Sequence, residues 1–334
     1  MLKEAKYYTV KDSKTKTVQC VLCPHCCIIE NEKFGRCRVR KNKDGVLYAL
    51  AYSKISALNI DPIEKKPLYH YYPGKNIISL GSVGCNMHCA FCQNYDISQT
   101  GPENLNLEEI FPQKLLELVK KEDNIGAAYT YNEPFINYEY IFDCTKLLHE
   151  NGFKNIFVTN GFINPLPLKE IVKFIDAANI DFKADTEDFY TKICDGKLSN
   201  VKKTIEIMYE NNVFIELTNL LIPELNDTDE EITSLVKWIR NIDPKIPLHF
   251  SRYFPCYKMN IKATSIDTLI RAYNIAKEYL DYVYIGNILL DKGNDTICPF
   301  CKKAVIQRQG YSVRITGMDN GRCRYCGKTL NIIS

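Results

Sequence analysis

Cys85, Cys89 and Cys92 stand at a three-then-two spacing in the stretch Gly-Cys-Asn-Met-His-Cys-Ala-Phe-Cys-Gln-Asn, from Gly84 to Asn94, directly after the short apolar run Ile77 to Leu80. Thiols this close in a loop point to one metal centre, yet three thiolates do not complete a four-ligand shell. A structural zinc site is closed by four protein ligands, whereas a site meant for chemistry leaves a position open. A cubane 4Fe-4S cluster needs one cysteine per iron for full protein ligation. His88 could be the fourth ligand, but it adjoins Cys89 in a short loop with little freedom to turn both side chains onto one metal. The plain alternative is a redox or zinc site closed by a remote ligand; a centre left open for chemistry is the stronger reading.

Fifteen cysteines is a high and odd number, and most fall in tight groups rather than at scattered disulfide spacings, which favours metal over disulfides. Near the start, Cys20 and Cys23 make a two-residue knuckle that Cys27 and Cys37 can complete, with Cys26 or His25 as substitutes. On spacing alone such a knuckle holds zinc or an iron–sulfur cluster equally well. Near the end, Cys298 and Cys301, then 21 residues, then Cys323 and Cys326 read as the paired knuckles of a zinc ribbon or a rubredoxin-like iron site, with zinc favoured. So short a tail needs a metal staple to fold. Cys144, Cys194 and Cys256 are left over and read as small buried apolar residues.

With 46% apolar and 25% charged residues, the 334-residue chain has the composition of a globular protein with room for one large domain and accessory modules. No apolar run approaches the roughly 18 residues of a membrane span, and Met1 to Gln19 lacks the apolar block of a signal peptide, so a cytoplasmic location without membrane attachment is expected. Charge is uneven: residues 1–45 carry eleven Lys and Arg against five Asp and Glu, residues 298–334 seven against one, and the middle 25 against 34. Basic flanks are weak support for nucleic-acid contact. Offsetting the negative charge of thiolate–metal centres explains them better.

Positioning the cysteine loop requires a scaffold, and the pattern beyond Ile77 supplies one. Strand-like runs at Ile77 to Leu80, Gly126 to Tyr131, Asn155 to Thr159, Asn179 to Lys183, Val213 to Ile222, Pro247 to Phe250 and Tyr282 to Ile285 alternate with amphipathic helical patterns. The helices carry start signals: Pro112, Pro167, the capping box Thr228 to Glu231, and Ser265. Strand and helix alternating in this way imply parallel pairing with crossovers. The count suits an α/β fold of the open (β/α)6 partial TIM barrel type. We expect residues 1–72 to form a cysteine-rich module and connector, 73–291 the barrel, and 292–334 the terminal metal module. Within the connector, Tyr69, Tyr71 and Tyr72 should pack against a neighbouring domain.

In parallel α/β folds, sites gather at the carboxyl ends of the strands. That rule selects Tyr131, Asn132, Glu133 and Pro134 after the second run, Asn160 and Gly161 after the third, Asp181, Phe182, Lys183, Ala184 and Asp185 at the fourth, Asn219 at the fifth, His249, Ser251 and Arg252 at the sixth, and Gly286 and Asn287 at the last. Each alone has a bland reading as a cap or turn residue; together they make a rim.

The whole set of motifs resembles a known family. The cysteine loop, the leading knuckle, Asp-Pro-Ile-Glu-Lys-Lys-Pro-Leu-Tyr-His from Asp61, Tyr-Thr-Tyr-Asn-Glu-Pro from Tyr129, Val-Thr-Asn-Gly from Val158, His-Phe-Ser-Arg-Tyr-Phe-Pro from His249 and Tyr-Val-Tyr-Ile-Gly-Asn from Tyr282 resemble the AmmeMemoRadiSam-system radical S-adenosylmethionine (radical SAM) enzymes, relatives of the pyruvate formate-lyase activating enzymes. The resemblance implies a 4Fe-4S cluster on Cys85, Cys89 and Cys92 whose fourth iron is chelated by the amino and carboxylate groups of SAM. It also implies an electron donor such as a flavodoxin or ferredoxin, and an association with Ammecr-type and Memo-type proteins. Glu133 and Asn132 would serve the SAM ammonium, Lys183 with Asp181 its carboxylate, and His249 the ribose and adenine, with Asn160, Gly286 and Asn287 completing the cofactor rim. Activases of this kind carry Gly-Gly-Glu where this chain has Tyr131, Asn132 and Glu133, a departure at the acceptor tract. No catalytic residue beyond the cofactor set, and no substrate, is implied. A glycyl-radical activase, an RNA-modifying radical enzyme and a non-catalytic electron-transfer scaffold are the alternatives.

Overall fold

Runs of small and branched apolar residues become strands buried on both faces, as parallel strands between helical layers must be. The computed structural model describes residues 3–290 and 293–334. Its central sheet has eight strands: β1 (Ala57–Pro62), β2 (Asn76–Gly81), β3 (Gly126–Tyr129), β4 (Lys154–Thr159), β5 (Ala177–Asp181), β6 (Phe214–Leu221), β7 (Leu248–Arg252) and β8 (Val283–Gly286). Each neighbours the next in chain order, and every pairing from β2 to β8 is parallel, while β1 runs antiparallel to β2. All seven expected runs are therefore strands of one mostly parallel sheet. β1 is an addition: residues assigned to the connector pair with the first parallel strand, so the division expected at residue 72 runs through the sheet's edge. The close of the sheet domain, expected at Asp291 and Lys292, lies outside the described residues.

Helices α1 (Pro112–Lys121), α2 (Tyr138–Glu150), α3 (Pro165–Ile171), α4 (Leu198–Glu210), α5 (Asp229–Ile242) and α6 (Ile266–Lys277) make the crossovers. Their starts follow local chemistry. Thr228 and Glu231 form the reciprocal capping box of α5, and the Ser265 hydroxyl accepts the Thr268 N–H at the start of α6. Proline at the first turn opens α1 and α3, where its missing N–H has no partner to lose; α3 begins two residues before the expected Pro167. At Gly126, φ is +154° and a Cβ would lie 2.0 Å from the Lys154 carbonyl oxygen, so glycine lets β4 approach the start of β3.

The first module consists of two small antiparallel sheets, Lys3–Glu4 with Val46–Ala49 and Arg40–Lys43, and Tyr8–Asp12 with Thr17–Cys20 and Ile28–Ile29. The last module pairs Thr296–Ile297, Ala304–Gln309 and Ser312–Ile315, and separately Met318–Asp319 with Arg322–Cys323. The aromatic cluster of the connector packs against this last module as expected. The Tyr72 N–H donates to the Ile333 carbonyl at 2.7 Å, and Arg308 lies 4.3 Å over the Tyr69 ring while donating to the Tyr69 carbonyl at 2.6 Å. Among the described residues, no helix is long and apolar enough to cross a membrane.

Candidate active site

The carboxyl ends of β2 to β8 open on one cavity, and Cys85, Cys89 and Cys92 line it. So do all of Asn132, Glu133, Asn160, Asp181, Lys183, His249, Gly286 and Asn287. The rim rule thus brings together residues spread over some 200 positions of chain, although their engagements differ in kind.

The loop that carries the three cysteines is held by asparagines. Asn132 accepts the Ser82 N–H at 2.9 Å and donates to the Gly84 carbonyl at 2.9 Å, so its amide clamps the loop entry and differs from the acceptor expected beside Glu133. Asn86 donates to the Phe162 carbonyl at 2.6 Å, and Asn160 donates to Asn86 at 3.1 Å and toward the Cys85 sulfur at 3.6 Å. Gly84 has φ +81°, and a Cβ there would stand 2.4 Å from the Cys37 carbonyl oxygen, so only glycine admits the first module this close to the loop.

Glu133 is buried at the mouth of β3. Its carboxylate accepts N–H groups of Phe135 at 3.0 Å and Asn160 at 2.7 Å and the Thr159 hydroxyl at 2.8 Å, which makes it the cap of the 3-10 turn Pro134–Asn137 as well as a tie to the end of β4. Burial nonetheless pushes its carboxyl up to about 7 against those stabilising bonds. A cation in the cavity would relieve that cost.

Asp181 and Lys183 form a close pair, with Nζ 2.7 Å from the carboxylate. Burial alone would lower the Lys183 ammonium, but the Asp181 carboxylate and the Cys89 and Cys194 sulfurs hold it well above its ordinary value. The backbone carbonyl of Lys183 is fixed by Asn219 at 3.0 Å and Asn226 at 2.7 Å, so Asn219 acts here as a clamp. Asn287, at φ +61°, donates to the Arg252 carbonyl at 2.8 Å.

His249 projects from β7, and its Nε2 is 2.7 Å from the carboxylate of Glu216 on β6. It stacks on Tyr284 and meets the edge of Tyr69, with ring centroids 5.0 and 4.7 Å away. Glu216 also accepts the His70 N–H at 2.7 Å. Despite burial, the hydrogen bond and charge of His249 hold the Glu216 carboxyl below its usual range. Sequence reasoning missed Glu216; the signal was a carboxylate in the middle of an apolar strand, which is too costly to bury unpaired. Also missed were Tyr69 and, from the last module, Tyr311, which line the cavity beside the expected Tyr131.

The three thiols suit a metal cluster. Burial pushes Cys85 and Cys92 up, while a hydrogen bond from Cys194 holds Cys89 down, so the set becomes three thiolates only against an added positive charge. Their spacing is wider than one ion allows. Among the described residues, only Cys298, Cys301, Cys323 and Cys326 bring three or more ligand atoms within 4.8 Å of one another. Thiolates that each bind their own iron are held apart by the cluster core, whereas those sharing one ion are not. His88 turns away to Asp195, 2.8 Å distant, and does not line the cavity.

A tetrahedral centre with metal–sulfur bonds of about 2.3 Å has sulfur–sulfur edges of about 3.8 Å. In the last module the Cys298–Cys326 and Cys301–Cys323 separations are 3.7 and 3.6 Å. That quartet fits one ion.

Several known proteins are similar to this chain. The model of the Radical SAM superfamily matches residues 80–239. An uncharacterised protein of Methanocaldococcus jannaschii is 39% identical over 99% of this chain and 100% of its own. Pyruvate formate-lyase-activating enzyme of Clostridium pasteurianum is 27% identical over 48% of this chain and 67% of its own. A crystal structure of a domain of pyruvate-formate lyase-activating enzyme from Bacteroides vulgatus covers 48% of this chain and 98% of that domain at 19% identity, with a TM-score of 0.42.

Proposed function

The chain belongs to the radical SAM superfamily, and from that premise we propose that it cleaves S-adenosylmethionine reductively at a 4Fe-4S cluster on Cys85, Cys89 and Cys92 and acts on a substrate bound in the same cavity. One observation carries the reading: three thiols, spaced too widely for a single ion, share a cavity with a carboxylate costly to bury and a lysine kept charged. When bound, the cluster supplies the low-potential electron that breaks the sulfonium C–S bond to give methionine and a 5'-deoxyadenosyl radical.

The chain's own residues bind, orient and exclude water. Lys183, steadied by Asp181, would meet the SAM carboxylate, and Glu133 the amino end, where a cation offsets its burial. His249, fixed by Glu216, with Gly286 and Asn287 would border the ribose and adenine. Asn132, Asn86 and Asn160 position the loop and one cluster ligand. Tyr69 and Tyr311 flank the outer cavity, so the last module, which we take to hold zinc, would help to close the substrate end. The surrounding partial barrel supplies rigidity.

Electron paramagnetic resonance of the anaerobically reconstituted, reduced chain tests this directly: SAM should alter the cluster signal. A spectrum indifferent to SAM would instead favour the electron-transfer scaffold. A second reading, activation of a glycyl-radical enzyme, is supported by the C. pasteurianum relative; it predicts a glycine radical on a partner protein. A flavodoxin or ferredoxin as donor, and Ammecr-type and Memo-type proteins as partners, belong to the proposal too.

A further inference from the structure

Cys20, Cys23, Cys27 and Cys37 line one cavity in the first module, together with His25 and Arg40. Cys26 is not among its walls, and its sulfur is directed to the Cys23 carbonyl at 3.7 Å. The chain contains two standards against which to read this quartet. In the last module all four sulfurs lie within 4.8 Å of one another, as ligands of one ion must. Among the described residues no three of the first module's thiols do so, and the same is true of Cys85, Cys89 and Cys92. The quartet has the spread of the central trio rather than the compactness of the terminal one.

We propose that Cys20, Cys23, Cys27 and Cys37 hold a polynuclear iron–sulfur cluster rather than zinc, and that it passes electrons to the loop of Cys85. Arg40 supplies independent support for a thiolate–metal centre at this place. Its two terminal nitrogens are engaged by the Lys6 carbonyl at 2.9 Å and by Glu139 at 2.6 Å, whereas its Nε is buried with no hydrogen-bond partner. A buried N–H donor beside thiolate or sulfide sulfur is satisfied by that sulfur, and such bonds tune cluster potentials.

The connection to the central loop is short. His25, two residues from both Cys23 and Cys27, makes a 2.7 Å hydrogen bond through Nε2 to the carbonyl of Asn86, the neighbour of Cys85. The Cys37 carbonyl abuts Gly84 on the other side of Cys85. In the proposed step a low-potential one-electron donor is oxidised by one electron and the first-module cluster is reduced by one. That cluster then returns to its oxidised state as the central cluster gains the electron.

The relay rests on the SAM-cleaving reading; the existence of the cluster does not. The test is anaerobic reconstitution of the full-length Cys85→Ala, Cys89→Ala, Cys92→Ala variant, followed by metal and sulfide analysis. It should keep ~2 to 4 iron and a matching amount of acid-labile sulfide per chain, with a reduced-state resonance that SAM leaves unchanged. Zinc without sulfide in this variant would overturn the cluster while leaving SAM cleavage by the native chain untouched. Conversely, a native chain that fails to cleave SAM, beside a variant that keeps iron and sulfide, would remove the proposed SAM chemistry and spare the cluster. For the relay, His25→Ala should retain the iron content of the native chain but reduce the central cluster at least ~10-fold more slowly, as read by freeze-quench resonance. Equal rates would overturn the relay.

Discussion

Glu133 offers the sharpest energetic test of the cavity. Its carboxyl is raised from 4.5 to about 7, chiefly by burial. A tenfold change in an acid dissociation constant is about 1.4 kcal/mol, so the ionised side chain costs the fold on the order of 3 kcal/mol. The direction follows from linkage. Below pH 4.5 both folded and unfolded chains hold the proton and no cost is felt; as pH rises toward about 7 the unfolded chain releases it first, and stability is lost. Glu133→Gln removes this titration. The amide also exchanges an acceptor for a donor opposite the Phe135 or Asn160 N–H, a penalty of about 1–3 kcal/mol that does not vary with pH. Urea unfolding of the two reconstituted chains at pH 4.5 and pH 8, without SAM, should therefore show the native chain losing about 3 kcal/mol more than the variant over that interval. Comparing the two chains cancels the contribution of metal release, which departs from two-state behaviour. Parallel stability profiles would refute the claim that Glu133 is a strained acid awaiting a cation.

Further outcomes follow from the neighbouring contacts. Glu216→Ala should destabilise the chain by about 3–5 kcal/mol in chemical denaturation, because it orphans buried His249 and the His70 N–H together. Lys183→Ala should weaken SAM binding at least ~10-fold, read as the SAM concentration that perturbs the cluster spectrum, because charge-assisted bonds of this kind contribute about 1.5–3 kcal/mol. Asn132→Ala removes two bonds from the cysteine loop, so cluster iron should dissociate faster under chelator while the far-ultraviolet circular dichroism stays native. Cys298→Ser with Cys326→Ser should release the ion proposed for the last module, and a protease should then cut within residues 296–334.

Much of this organisation was legible in the residues. Strands buried on both faces betray themselves as apolar runs, and helix starts such as Thr228 and Ser265 depend on neighbours within a single turn. The rim rule gathered most of its residues at one cavity because topology fixes which end of a strand points there, although others, Gly161, Asn219 and Arg252 among them, do not line it. What it could not settle was the side chain's engagement: Asn132 lines the cavity yet holds backbone, Asn219 holds the Lys183 carbonyl from within its strand, and Glu133 caps a turn while facing the cavity. Contacts between modules were harder still. His70 meets Asn331 across 261 positions and Arg308 meets Tyr69 across 239, and no local spacing encodes such pairs. Glu216 was visible only as an exception to its strand, and its partner His249 lies 33 residues on. The edge strand β1 was obscured because its last two residues, Asp61 and Pro62, open the proline-bracketed segment that ends at Pro67.

The central claim concerns one reaction, and product analysis reaches it most directly. The anaerobically reconstituted chain, given SAM and a low-potential reductant, should form 5'-deoxyadenosine and methionine, and the Cys85→Ala, Cys89→Ala, Cys92→Ala variant should form neither. A native chain that carries its cluster and yields no 5'-deoxyadenosine, or a variant that yields as much as the native chain, would contradict the account.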